Sequence, residues 1–206
     1  MKIPKQSWAE VVSNVVSPPL VWGLLAFPIA ARDASAVDQA IVWALIYIFF
    51  FSIVPILYIS LQVHRGIITD MHMPMREERI RPFLVSLLSG SLGAIILSRL
   101  DISTLMHVYI ATTLLQLALM GLITTFWQIS AHAISISGAT VIVAVIFGPL
   151  PAFILSPLIP LVAVARLNLY RHTRTQVIAG IAVGVLCIGG FLWAVGMLEP
   201  NIWTRL

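Results

Sequence analysis

The chain has 206 residues, of which 60% are hydrophobic and 10% are charged, and its formal net charge is +4 at pH 7. This composition excludes a soluble globular domain with a single core, because such domains carry roughly 25% charged residues. No polar stretch is long enough for a separate soluble domain. We therefore expect an all-α integral membrane protein, whose partners are membrane lipids and not nucleic acid. The one cysteine, Cys187, excludes an internal disulfide.

The N-terminal segment, residues 1–17, predicts an amphipathic helix that lies along the membrane interface. Its apolar residues recur at helical spacing; they are Trp8, Val11, Val12, Val15 and Val16. Lys2 and Lys5 are expected to face lipid headgroups. The next apolar stretch, 18–31, has some features of a signal-peptide core. Because polar residues precede it and it begins with two prolines, we expect a short first span or a re-entrant segment instead.

Apolar stretches near the length needed to cross a bilayer, about 17–25 residues, account for most of the remaining chain. The longer stretches are 40–63, 83–98, 104–127 and 177–195. Shorter ones, flanked or interrupted by proline, are 18–31, 133–148 and 152–165. The sequence thus predicts a single transmembrane domain, with a bundle of six or seven helices over residues 18–206.

Three polar connections separate these stretches, at 64–82, 126–133 and 165–176. Two predicted crossings lie between one connection and the next, and they turn at 99–101 and at the breaker cluster 148–151. An even number of crossings returns the chain to the same face of the membrane. The three connections are therefore expected to meet and to form one site.

The basic residues are distributed unequally between the two predicted faces. The face with the connections holds Lys2, Lys5, Arg65, Arg76, Arg79, Arg81, Arg166, Arg171 and Arg174. The opposite face holds Arg32, Arg99 and Arg205. By the positive-inside rule, the connections are expected on the cytoplasmic side of the cell membrane.

Each connection contains residues that match part of a known signature. The matching residues are Arg81 and Pro82 in the first connection, Ser130 and His132 in the second, and Arg166 and His172 in the third. In this order they resemble the motifs of the type-2 phosphatidic acid phosphatase family. That signature has a lysine, six residues and Arg-Pro; then Pro-Ser-Gly-His; then Ser-Arg, five residues, His, three residues and Asp. Six of its eleven positions agree.

The resemblance implies a metal-independent membrane phosphatase, without a cofactor, that hydrolyses a lipid phosphate or diphosphate. It assigns His172 as the nucleophile that forms a phosphohistidine, and His132 as the general acid for the departing lipid alcohol. It assigns Arg81, Arg166 and Ser130 to the substrate phosphate, whose oxygens suit the planar, bidentate guanidinium.

Two departures from the signature leave a second hypothesis open. Gln176 stands where the family has the aspartate that orients the nucleophilic histidine. Pro74 stands where the family has its first lysine, so that Arg76 or Arg79 would have to supply the cation. The chain could therefore be a catalytically inactive relative that serves as a structural subunit or binds anionic lipid.

Several of these residues also have simpler interpretations. The arginines of the first connection could form a solvated helix end, with an ion pair between Glu77 and Arg81 at the favourable i, i+4 spacing. His107 is expected to be a packed intramembrane histidine. Asp70 and His72 alone are weak evidence for a metal.

Other membrane proteins are less well supported by the sequence. Diphosphate-binding prenyltransferases need paired aspartate-rich motifs, which the chain lacks. The helix breaks at Pro157 and Pro160 leave a transporter open but add no positive signal. Gly180 and Gly184 have the four-residue spacing used in helix association, so the glycine-rich last helix could pack internally or dock onto a partner protein.

Overall fold

The computed structural model describes residues 6–198, and all regular secondary structure in that range is helical. The α-helices are α1 Trp8–Val15, α2 Pro18–Asp33, α3 Val37–Ile48, α4 Val54–His64, α5 Ile80–Leu97, α6 Thr104–Thr124, α7 Ala131–Phe147, α8 Pro149–Leu155, α9 Leu158–Asn168 and α10 Arg174–Ala194. A π-helical turn, Phe49–Ile53, joins α3 to α4, and a 3₁₀ turn, Glu77–Arg79, precedes α5. The predicted all-α class is confirmed. Lys2, Lys5 and Arg205 lie outside the described residues.

Five helical stretches in this range are long and apolar enough to cross a membrane. They are Val37–His64, Glu77–Leu97, Thr104–Thr124, Pro149–Asn168 and Arg174–Ala194. The pair formed by α1 and α2 makes a sixth if it counts as one broken span, and α7 is apolar but has 17 residues. Side chains such as Leu88, Leu122 and Leu186 are exposed along these helices, as expected for surfaces that face lipid.

The described chain falls into two compact units. Residues 6–18 and 129–198 form the first, which we call the terminal unit; Pro19–Gln128 forms the second, the central unit. The expectation of a single domain stays a prediction. The second and third polar connections both belong to the terminal unit, and the first belongs to the central unit.

Capping residues define where the helices of the terminal unit begin. Ser7 and Glu10 form a capping box at α1, Ser130 caps α7, and Thr173 and Gln176 form a capping box at α10. Gly148 has φ +92°, a conformation that favours glycine. Proline follows it directly, so α7 ends and α8 begins at the breaker cluster seen in the sequence.

The two glycines Gly180 and Gly184 let α10 pack directly against α7. A Cβ added at Gly184 would lie 2.1 Å from the Ser137 Oγ and 2.5 Å from the Ile134 carbonyl oxygen. At Gly180 it would lie 3.0 Å from both the Ala133 Cβ and the Ser130 carbonyl oxygen. The two glycines therefore serve helix packing inside the terminal unit. This contact holds the starts of α7 and α10 together.

The central unit is organised around aromatic side chains. The rings of Tyr47 and Phe51 stack at 4.3 Å, and Tyr109 lies against both Tyr47 and Trp22. The Tyr47 hydroxyl shares a hydrogen bond of 2.8 Å with the Thr113 hydroxyl, and the Tyr109 hydroxyl donates to the Trp22 carbonyl. The hydroxyls of both buried tyrosines thus have hydrogen-bond partners, as the burial of a polar group in apolar surroundings requires.

Candidate functional site

The terminal unit brings the second and third motifs into direct contact. The Ser130 backbone N–H donates to the Gln176 carbonyl oxygen over 3.4 Å. The Ser130 side chain is fully buried and accepts from the Ala133 N–H as the cap of α7. The first residues of α7 therefore lie against the first turn of α10, next to His172 and Gln176.

His172 and Gln176 are joined by a side-chain hydrogen bond. The His172 Nδ1 lies 3.3 Å from the Gln176 Oε1, and the same oxygen lies 3.0 Å from the Thr173 backbone nitrogen. A backbone N–H can only donate, so the atom facing it must be the amide oxygen and not the amide nitrogen. The amide oxygen also faces His172, which places a proton on Nδ1, so that in the neutral imidazole the lone pair is on Nε2.

The chain bends sharply between Arg166 and His172. Helix α9 ends at Asn168, Tyr170 has φ +52°, and the Arg171 N–H donates to the Arg166 carbonyl oxygen over 3.2 Å. A continuous helix would put the two side chains, six residues apart, on different faces. The bend removes this constraint, and both side chains are buried.

Arg166 and His132 converge on Ser13 of α1, a residue that no motif in the sequence indicates. The Arg166 Nη1 donates to the Ser13 Oγ over 3.3 Å. The His132 Nε2 lies 3.0 Å from the Ser13 carbonyl oxygen. Because a carbonyl can only accept, the His132 Nε2 carries a proton. One turn of α1 therefore contacts a guanidinium and an imidazole that the motifs predict for the site.

The side chains of this cluster are buried. Arg166 is 1% exposed, and His132 and His172 are each 7% exposed. A guanidinium is rarely buried to this extent unless it has charged or polar partners. The terminal unit thus buries a guanidinium and an imidazole around Ser13 of α1, and a second imidazole just before the start of α10.

The arginines of the first motif lie in the central unit, and their environments differ. Arg79 is buried, and its Nε donates to the Met73 carbonyl oxygen over 2.8 Å. Arg81, which matches the signature, is exposed, and Arg76 is partly exposed. Arg79 is therefore the buried cation of this segment. The role of Arg81, Arg76 and Arg79 at the substrate phosphate stays a prediction.

The acidic residues of the first connection make local contacts. The ion pair of Glu77 is with Arg76, at 3.6 Å between Oε1 and Nη2, instead of with Arg81. Glu78 accepts from the backbone and side chain of Thr69, each over 3.0 Å. This part of the loop matches the simpler interpretation of a polar helix end.

Three other histidines, His64, His72 and His107, lie in the central unit. The His72 Nδ1 lies 3.7 Å from the Asp70 Oδ1, but no group of three potential metal ligands occurs within residues 6–198. His107 is exposed and its Nδ1 lies 3.0 Å from the Ser103 carbonyl oxygen. The expectation that His107 is packed inside the membrane domain is wrong. Its side chain is exposed, in the first turn of α6.

Comparison with known proteins finds no family model, curated protein or solved structure that matches the chain. An assignment to a family therefore depends on the motifs and on the contacts between them. Two of the three motifs, which are far apart in the sequence, lie together in the terminal unit.

Proposed function

We propose that the chain is a membrane lipid phosphatase of the type-2 phosphatidic acid phosphatase kind. It hydrolyses a lipid phosphate or diphosphate without a metal, through a phosphohistidine at His172. The observation that carries the proposal is the contact between Ser130 and Gln176. It joins two motifs that are far apart in the sequence, in a unit that also buries Arg166, His132 and His172.

In the first step, the Nε2 lone pair of His172 attacks the phosphorus of the bound lipid phosphate. An N–P bond forms while the P–O bond to the lipid breaks, and the electron pair of that bond goes to the leaving oxygen. His132, which acts as the imidazolium, donates its Nε2 proton to this oxygen, releases the lipid alcohol and is left as the neutral imidazole. The Nδ1–H of His172 stays hydrogen-bonded to Gln176, and Arg166 stabilises the charge on the phosphoryl oxygens.

In the second step, water attacks the phosphorus of the phosphohistidine. The N–P bond breaks, its electron pair returns to the His172 Nε2, and His132 accepts the proton of the water. Inorganic phosphate leaves, and both histidines regain their initial protonation states. The resemblance adds Ser130 and the arginines of the first motif to the phosphate-binding set.

The direct test is phosphate release by the purified protein from a panel of lipid phosphates and prenyl diphosphates, with a chelator present. We expect release to persist in the chelator and to fall at least about a thousandfold in His172→Ala, as when another nucleophile is removed. His107→Ala is the matched control, because His107 is exposed and lies in the central unit. Release at the wild-type rate by His172→Ala would refute the proposal.

One observation favours the alternative of a non-catalytic, anionic-lipid-binding relative. Gln176 serves in the capping box of α10 and adds no negative charge beside His172. In that case, the purified protein releases no phosphate from any substrate of the panel. An anionic-lipid binder would still retain more phosphatidate than phosphatidylcholine after detergent washes. A structural subunit would copurify with stoichiometric partners.

A further inference from the structure

The carbonyl oxygen of Ser13 accepts no hydrogen bond from the backbone N–H groups that follow it in the chain. In a continuing α-helix it would accept from the Ser17 N–H, but that group donates to the Asn14 carbonyl over 3.3 Å. The Val16 N–H donates to the Val12 carbonyl over 2.9 Å. The last carbonyls of a helix carry partial negative charge, and that of Ser13 lies within hydrogen-bond distance of the His132 Nε2.

Ser13 therefore presents two oxygens to two cationic or proton-donating groups. Its carbonyl faces His132 and its hydroxyl accepts from Arg166. In the proposed mechanism, these same donors face the leaving oxygen and the phosphoryl oxygens of the substrate. The two uncharged oxygens of Ser13 thus occupy the place in which the mechanism puts the anionic phosphate of the substrate.

Helix α1 is suited to moving away from this place. It has eight residues, and so short a helix is not stable by itself in water. The side that it buries consists of small or medium residues, Ala9, Ser13 and Val16, whereas Trp8 and Val15 are exposed. The apolar outer face can follow the lipid interface while the inner face separates from α9.

We propose that α1 is a lid whose Ser13 closes the phosphate site, and that the phosphate of a lipid substrate displaces it. This inference rests on the proposed function, since it takes the donors at His132 and Arg166 as phosphate-binding groups. It also explains how a substrate reaches side chains that are buried when α1 is docked. The headgroup competes with Ser13 for the same donors, so that opening is coupled to substrate binding.

The first arm of the test measures the accessibility of position 13. Ser13→Cys is made in a Cys187→Ser protein and reacted with a soluble maleimide, with and without inorganic phosphate or dioctanoyl phosphatidate. Without anion, we expect labelling at least about tenfold slower than at Asn14→Cys, the exposed neighbouring position. Either phosphate compound should accelerate labelling of position 13 several-fold, whereas dioctanoylglycerol should not. Labelling of position 14 should not change.

The second arm measures turnover of a short-chain lipid phosphate by Ser13→Ala in the full-length protein. The variant loses the hydrogen bond to Arg166 but keeps the backbone carbonyl. We expect the KM to fall roughly two- to tenfold, the value of one hydrogen bond in the closed state. Asn14→Ala is the control and should leave the KM unchanged.

The two arms separate the lid from the proposed function. If phosphate accelerates labelling of position 13 but no lipid is hydrolysed, the lid is supported and the catalytic proposal fails. If lipid phosphate is hydrolysed while labelling is insensitive to phosphate, or Ser13→Ala raises the KM, the lid is overturned. If neither phosphate-dependent labelling nor hydrolysis occurs, both are overturned.

Discussion

In the proposed mechanism, Gln176 keeps one part of the role of the aspartate in the signature and lacks another. In serine proteases, the aspartate-to-amide change lowers kcat by about 10⁴ because the histidine adopts the wrong tautomer. Here the Thr173 N–H orients the amide so that its oxygen faces His172. The tautomer required of a nucleophilic Nε2 is therefore retained. The negative charge that would support a phosphorylated imidazole is absent.

Two substitutions at position 176 are expected to have opposite effects on turnover. Gln176→Glu keeps the length of the side chain and the acceptor oxygen, and its charge should raise kcat roughly tenfold. Gln176→Leu removes the acceptor and should lower kcat by a hundredfold or more, up to about 10⁴. Steady-state phosphate release checks both.

Substitutions at position 176 also disturb the cap of α10, and Thr173→Ala is the control for this effect. It removes the hydroxyl that accepts from the Gln176 N–H over 3.3 Å. This variant should lose about 1 kcal/mol of stability with kcat unchanged. Equal kcat values for Gln176→Glu, Gln176→Leu and the unmodified protein would show that this amide has no part in catalysis.

For single residues, the sequence predicted which types of residue the candidate site contains better than it predicted which of them are in contact. The alignment with the signature put Gln176 at the position of the residue that orients His172, and the two side chains are hydrogen-bonded. Ser13 could not be foreseen, since its role depends on a carbonyl that its own helix does not use and on the docking of α1 against α9. Nor does the sequence distinguish the buried Arg79 from the exposed Arg81.

At the scale of helices, the site depends on how closely α7 and α10 approach. Gly180 and Gly184 bring the backbone of α10 against the first two turns of α7. The contact between Ser130 and Gln176 lies next to this region. Helix packing and the assembly of the two motifs are therefore linked.

We expect Gly184→Ala to disrupt both stability and the site. A Cβ there would lie 2.5 Å from the Ile134 carbonyl oxygen, a backbone atom that cannot move alone. Such overpacking typically costs about 1–3 kcal/mol, and separation of α10 from α7 should also lower phosphate release.

The matched control is Gly189→Ala, on the same helix, where an added Cβ meets nothing within 4 Å. Its thermal midpoint in detergent should equal or slightly exceed that of the unmodified protein, since alanine favours the helix. Equal midpoints for Gly184→Ala and Gly189→Ala would contradict the packing described for α10.

The end of α7 was predicted well, because the breaker cluster at Gly148 marks it. The interruption of the stretch 40–63 was not predicted. Pro55 cannot donate a backbone hydrogen bond, and the Val54 N–H reaches back to the Phe49 carbonyl in a π-helical turn. Apolar periodicity does not reveal such a turn, because the residues on both sides remain hydrophobic.

At the scale of the whole molecule, composition predicts the membrane class, and charge predicts an orientation. The apolar helices, which are long enough to cross a membrane, follow from a composition with 60% hydrophobic residues. The division into two compact units does not follow from it, because the terminal unit joins residue ranges from opposite ends of the chain.

The count of basic residues predicts that Tyr170 is cytoplasmic and that Leu100 lies on the opposite side. Both residues are exposed, so each can be replaced by cysteine in a Cys187→Ser protein. A membrane-impermeant maleimide should label Leu100→Cys in intact cells and Tyr170→Cys only after permeabilisation. The reverse pattern would contradict the orientation that the basic residues predict.

The central claim is that His172 becomes phosphorylated during turnover. The purified protein is mixed with a lipid phosphate labelled with radioactive phosphorus and is quenched within the first turnovers. We expect a covalent, acid-labile and alkali-stable label on the peptide that contains His172, with none in His172→Ala. Phosphate release without any such label, or a label that persists in His172→Ala, would contradict the claim.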